Sequence, residues 1–455
     1  MTGLKRGLAM LLLGILAGCS ETARDPAPES EEAAAEAVPA PVGSSQSADE
    51  AGTDVLTEAA IVAAHQAALV LDAHADVEIP GSPSRYALPD GTSQVDPALM
   101  REGGVDAVVL SIAVGPGPRD AEGYAAARAT AEAELEAVQG LARDPANNAV
   151  IPRSPQELAQ AHADGKLAFV LGLQNALILG TDPAAVDEFF AEGVRVFALT
   201  HMGHNDFADS SRPLFIAETG EHEPAAEHGG LSALGIAALE RVNALGGIID
   251  ISQLSRDAAL DVMARSTAPV IASHSNVQAL SNVSRNLSDE ELDRLQEIGG
   301  VVHVAPFRGY LFDSSDKALD AAIRAARRKA GVKEDYLYPF ELYWEIDDPE
   351  AQAAFLGAVS GLLGPGRLED MLDHIDYVAE RIGVEHVGIG TDFNHGSGVE
   401  GFSHAGDALN VTRGLMQRGS SAEDVAAIWG GNFLRVWEAA ERQAAASAAE
   451  RASAD

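Results

Sequence analysis

Eight short, β-prone apolar runs separated by stretches of helical length set the frame for this chain, because nearly continuous apolar strands must be covered on both faces. The runs are residues 69–73, 106–112, 167–172, 194–200, 247–251, 269–273, 300–304 and 386–391. Between them, residues 122–141, 184–192, 232–245 and 289–298 have helical length and periodicity. Eight β/α units predict an α/β fold, a TIM-like (β/α)8 barrel, with a doubly wound open sheet as the competing arrangement. The stretch from 305 to about 381 is longer than one crossover needs. It predicts a helical insertion between the last two strands, near the rim, where it could form a lid or a substrate wall.

Five of these runs lead directly into polar or ionisable residues. His74-Ala75-Asp76 follows 69–71, Gln174-Asn175 follows 167–171, His201 follows 194–199, His274 follows 269–273 and Asp392 follows 387–390. Parallel strands that end on one rim gather residues distant in sequence, and histidine and aspartate are metal ligands and proton carriers. The pattern is that of a metallohydrolase. Other catalytic signatures are missing: there is no phosphate-binding Gly-x-x-x-x-Gly-Lys, no His-Glu-x-x-His and no Gly-x-Ser-x-Gly.

With 31 Lys and Arg against 69 Asp and Glu, the net charge of −38 argues against nucleic acid, which is bound through clustered cations. The first residues are more specific. Lys5 and Arg6 precede an apolar run over 11–16 that is too short to span a bilayer comfortably, and Leu16-Ala17-Gly18-Cys19 follows. The tetrad resembles a bacterial lipobox. It predicts a signal peptide over 1–18, lipid attachment at Cys19 and a membrane partner. Ser20 fits outer-membrane sorting, so the expected location is the cell envelope, facing the periplasm. Residues 19–53, rich in Ala, Pro, Ser and Glu, read as a disordered tether. One catalytic domain is expected over 54–438, and a helix end or tail over 439–455.

Asp72-Ala73-His74-Ala75-Asp76, Ala198-Leu199-Thr200-His201, Ile249-Asp250-Ile251-Ser252, Ala272-Ser273-His274-Ser275, Arg285-Asn286-Leu287 and Gly390-Thr391-Asp392-Phe393 stand in this order along the chain. Together they resemble the membrane (renal) dipeptidase family, zinc-dependent peptidases of the amidohydrolase-like barrel type, and the likeness runs from about Val70 to Trp437. The resemblance implies that His74 and Asp76 bind a first zinc and His274 a second. It also implies that His201 contacts the substrate and polarises its scissile carbonyl, and that Arg285 pairs with the free carboxylate of a small peptide. Asp392 would accept a proton from the nucleophilic water and pass it to the leaving amine. Taken without the resemblance, Arg285 reads equally as a surface charge near a helix start, and His274 as a core histidine. Family members often dimerise, so a homodimer is also implied.

Two positions depart from the family. Gln174 stands where a glutamate bridges both metals, and Gln253 where a second histidine follows Asp-x-Ser. An amide carries no charge and its nitrogen has no lone pair to donate, so Gln174 cannot bridge two zincs as a carboxylate does. Weakened or single zinc occupancy is expected. Three functions stay open: a metallodipeptidase using a metal-activated water, a barrel acting on a modified peptide or other small amide, and a lipid-anchored peptide-binding protein. His204, His303 and His395 lie near the rim in sequence and are left outside the metal set.

Overall fold

In a computed structural model, residues 56–454 are described except 217, 218, 220, 335–337, 341, 342 and 347. The expectations for 1–18, Cys19 and 19–53 lie outside the described residues. No described helix is long and apolar enough to cross a membrane.

Eight parallel strands follow one another round the sheet: β1 (Leu71–Asp76), β2 (Ala107–Ala113), β3 (Leu167–Gln174), β4 (Val194–Ala198), β5 (Ile248–Asp250), β6 (Ile271–Ala272), β7 (Val301–Val304) and β8 (Val387–Ile389). Each pairs in parallel with its successor. Just past the end of β8 the circle closes: Asp76 N donates to Phe393 O at 2.9 Å and Asp392 N to His74 O at 2.8 Å. The arrangement is a (β/α)8 barrel rather than an open sheet. Its strands are short at β5, β6 and β8, so the expected runs overshoot there. At β1 the difference is the reverse. His74, Ala75 and Asp76 lie within the strand, held by β2 on one side and the 391–393 segment on the other.

Alternation along the strands divides the apolar residues into two layers. Val108, Leu110, Phe169 and Leu171 pack outward against the helices. Ala73, Ala107, Val109, Ala168, Val170, Ile248 and Val301 fill the barrel with Phe433 and Trp437. The last two sit on the helix Asn432–Ala454, which crosses the beginnings of the strands: Asn432 Nδ2 donates to Val387 O at 2.8 Å and Arg435 Nη1 to Gly299 O at 2.7 Å. That end is therefore plugged, and only the C-terminal rim is free to build a site.

Helix boundaries follow their caps. Ser232 caps Ala233–Leu245 through Leu234 N and Gly235 N, and Gly246 ends it with φ +79°. Ser288 and Glu291 form a capping box at Asp289–Glu297, directly after the Arg285 loop. The expected insertion lies between β7 and β8 and contains helices Arg308–Leu311, Lys317–Ala330, Pro349–Leu363 and Leu368–Ile382. Its Tyr310, Phe312, Ile323 and Tyr338 share a small core with Val283, two residues before Arg285. The insertion thus forms a wall over the rim.

Candidate active site

The rim is organised by two buried aspartates. Asp72 accepts from Thr391 N at 2.8 Å, Thr391 Oγ1 at 2.6 Å and His74 N at 3.1 Å, which fixes the end of β8 against β1. Burial pushes its carboxyl up to about 6 despite these bonds. Asp250 accepts from Ser252 N at 2.8 Å, Ser273 N at 2.9 Å and Ser273 Oγ at 2.5 Å.

Ser273 is the hub. Its Oγ also lies 3.1 Å from His74 Nδ1 and 2.8 Å from His274 Nδ1. The hydroxyl has one proton, given to Asp250, and two lone pairs, so both imidazoles donate to it from Nδ1. Both Nε2 lone pairs then face the rim, the tautomer a metal ligand needs. The two rings stack with centroids 3.7 Å apart.

His74 Nε2 and Asp76 Oδ1 are 3.6 Å apart, buried and without a hydrogen-bond partner. Tetrahedral bonds of about 2.0–2.1 Å place neighbouring ligand atoms about 3.4 Å apart, so this pair fits one ion. Asp392 completes a group with them in which ligand atoms all lie within 4.8 Å. His74, Asp250 and His274 meet the same distance test, but the Ser273 hydroxyl already touches all three.

The second position does not fit a metal in the same way. Arg212 Nη2 donates to Gln253 Oε1, which leaves the Gln253 amide nitrogen 3.3 Å from His274 Nε2. The opposite amide orientation would set two donors against each other. Gln253 therefore offers His274 a proton where a ligand set would offer a lone pair. Gln174 is 1 % exposed and its Nε2 has no partner.

Electrostatics differ sharply between neighbours. Burial depresses His274 well below the ordinary histidine range, as does the adjacent His74. Burial likewise depresses His201, helped by His395 and Arg212, so its imidazole is neutral. For His74, burial opposes the charge, but Asp76, Asp392 and Asp250 outweigh it and raise the pKa. Burial raises Asp392. Gln253 and Asp392 both adopt positive φ, 69° and 58°, a conformation that costs non-glycine residues about 1–3 kcal/mol. Each is held there by the backbone: Ser211 N donates to Gln253 O at 2.9 Å, and Asp392 N is fixed on β1.

His201, His74, Asp76, His274, Gln174, Gln253, Arg285 and Asp392 all gather at this end of the barrel. Arg285 is 2 % exposed; its Nη1 donates to Ser275 Oγ at 2.8 Å and its Nη2 to His274 O at 2.6 Å. It is a buried group at the rim, not a surface charge. His395 also belongs here: its Nδ1 is 2.6 Å from Asp76 Oδ2, and its ring meets His201 edge-on at 5.2 Å. Burial disfavours its charge, but Asp76 raises it to about 9. His204 and His303 serve the scaffold. His204 Nδ1 accepts from Ser210 N at 3.0 Å, and His303 Nδ1 lies 3.0 Å from Ala272 O inside the barrel. Sequence reading gives no role to Ser273, Asp250 or Arg212. The first two stand inside recognisable triplets; Arg212 has no motif to mark it.

Residues 53–451 match the family model described as membrane dipeptidase (peptidase family M19). The crystal structure of a probable dipeptidase, PvdM, from Pseudomonas aeruginosa is 34% identical, with a TM-score of 0.73 over 84% of this chain and 98% of that one. A metallo peptidase from Rhodobacter sphaeroides, liganded with a phosphinate mimic of the dipeptide L-Ala-D-Ala, shares the fold at 20% identity and a TM-score of 0.63, over 82% of this chain and 99% of that one. Dipeptidase aclJ of Aspergillus oryzae is 31% identical over 276 residues, which are 60% of this chain and 52% of that protein. The chain thus spans about half the length of this curated relative.

Proposed function

The chain belongs to the membrane dipeptidase family (peptidase family M19), and on that footing we propose that it hydrolyses dipeptides with a divalent metal held at His74 and Asp76. The observation that carries this reading is the facing pair of unpartnered, buried ligand atoms, His74 Nε2 and Asp76 Oδ1, beside the carboxylate of Asp392. The metal proposed is zinc. Zinc lowers the pKa of a water and polarises a carbonyl.

The chain's own residues supply the rest. Asp392 takes a proton from the attacking water as its oxygen bonds to the peptide carbon, and returns it to the amine as the C–N bond breaks. His201, neutral, offers a ring N–H to the oxygen that gains charge. Arg285 binds the free carboxylate of the dipeptide through donors that Ser275 and His274 leave open. His395 holds the second oxygen of Asp76, so that Oδ1 is the one turned to the ion. Gln253, bound to Arg212 and turned to His274 through its amide nitrogen, supports one ion per chain rather than two. The basic, apolar and Leu-Ala-Gly-Cys segments before Ser20 support a place in the bacterial envelope, lipid-anchored through Cys19 and facing the periplasm.

The test is turnover of Ala-Ala and Gly-type dipeptides before and after chelation. Activity lost to the chelator and restored by zinc is expected. Turnover indifferent to the chelator, or peptide binding without turnover, would overturn the reading.

A further inference from the structure

Two guanidiniums share the substrate end of the site, and neither has a carboxylate partner within 4 Å among the described residues. Each carries five donors. Ser275 Oγ and His274 O each accept from Arg285, whose guanidinium also meets the Tyr310 hydroxyl, and Gln253 Oε1 accepts from Arg212. The Nε of both is buried and unpartnered. Both connect to His274, one through its carbonyl and the other through Gln253. Arg285 lies 5.3 Å from the Tyr310 ring centre and Arg212 5.9 Å from that of Tyr338, and these two rings are 5.5 Å apart. The insertion therefore backs both cations with one aromatic wall.

Arg212 is also held rigidly. Its N–H donates to Ser210 Oγ at 3.2 Å, its carbonyl accepts from Gly203 N at 2.9 Å, and the preceding Ser211 N donates to Gln253 O at 2.9 Å. Setting two like charges near each other, one of them buried, is costly unless an anion joins them. In a chain of net charge −38, Asp392 and Asp250 act on Arg285 only through space, and neither guanidinium is directly ion-paired. Arg212 is half-buried rather than sealed, so an incoming anion can reach it.

We infer that Arg212 is a specificity-determining residue and that the site prefers dipeptides whose C-terminal residue is Asp or Glu. This rests on the dipeptidase reading, in which Arg285 takes the α-carboxylate; Arg212, across the paired tyrosines, then takes the side-chain carboxylate of the same residue. Charge-assisted, fork-shaped bonds to two carboxylates would orient the substrate from its C-terminal end.

The experiment compares Ala-Glu, Ala-Ala and Ala-Lys as substrates, together with their reduced-amide analogues, which cannot be hydrolysed and report binding by calorimetry. It uses the metal-loaded wild type, Arg212→Gln and Arg212→Lys, with circular dichroism as the check on folding. The wild type should favour Ala-Glu over Ala-Ala by about 10-fold or more in kcat/KM and in affinity. Arg212→Gln should bring that ratio near one, and Arg212→Lys should restore part of it. Acidic preference in binding, lost in Arg212→Gln, without turnover of any dipeptide would sustain the inference and remove the dipeptidase reading. Turnover with no acidic preference, or a ratio that Arg212→Gln leaves unchanged, would overturn the inference and leave the dipeptidase reading standing. Neither binding nor turnover of any of the three would overturn both.

Discussion

Replacing Ser273 with alanine removes one oxygen that three buried groups share. The hydroxyl donates to Asp250 at 2.5 Å and accepts from His74 Nδ1 at 3.1 Å and His274 Nδ1 at 2.8 Å. The bond to Asp250 is charge-assisted, worth about 1.5–3 kcal/mol, with the loss near the lower end because Asp250 keeps the N–H groups of Ser252 and Ser273. Each imidazole N–H left buried without an acceptor costs about 1–3 kcal/mol more, and partial rotation of the rings relieves some of it. The expected destabilisation is about 3–5 kcal/mol, large for a single hydroxyl. The functional effect is separate from this. Without Ser273 nothing fixes the proton on Nδ1, so the Nε2 lone pair of His74 is no longer reserved for a metal, and affinity should fall about 10- to 100-fold. Urea unfolding of the metal-free protein measures the first effect, and competition with a chromophoric chelator the second. A variant that loses under about 1 kcal/mol and binds metal as tightly as the wild type would refute the hub argument.

Gln174→Glu combined with Gln253→His should raise zinc content from near one towards two ions per chain, because it restores a carboxylate and a ring nitrogen and frees Arg212; unchanged content by elemental analysis would overturn the account of the glutamines. Asp392→Asn should lower kcat by about 10²- to 10⁴-fold with the fold intact by circular dichroism, and a loss under tenfold would deny it the proton-transfer role. Glu134 tests the cost of a buried carboxyl, one that Asp76 also acts on. Its Oε2 accepts from Ala113 N at 2.7 Å, and burial pushes its carboxyl up to about 8 from an ordinary 4.5. Between those values the native state holds a proton that the unfolded state has lost, so this group makes stability fall as pH rises through the window. Glu134→Gln, which keeps the bond to Ala113, should gain on the wild type progressively from pH 5 to pH 8 in urea unfolding; parallel pH curves would contradict this.

The barrel was legible because strands covered on both faces leave a long apolar signature, and the polar residues following five of the runs mark the rim. Strand ends were less legible. β1 continues through Asp76 only because Phe393 and β2 bond to it, a contact between residues more than three hundred positions apart. Within the site, sequence singled out the groups proposed to carry chemistry but not those that set their state. Ser273 looks like any serine beside a histidine, and its value comes from three partners contributed by β1, β5 and its own strand end. His395 stood three residues beyond Asp392, yet only the turn at Asp392, with its positive φ, brings it onto Asp76. Arg212 sits in a loop with no repeating pattern, and its proximity to Gln253 depends on how the segments after β4 and β5 lie together. The glutamines illustrate both sides. Their departure from a ligand set is visible in the sequence, whereas the direction in which Gln253 points is fixed by Arg212.

The central claim is a one-metal peptidase site, and metal content measured on the same preparation as dipeptide turnover tests it most directly. Elemental analysis of the domain from Asp54 should give near one divalent ion per chain, with turnover rising and falling in proportion to occupancy as the ion is removed and returned. Two tightly held ions per chain, or full turnover in protein stripped of metal, would contradict it.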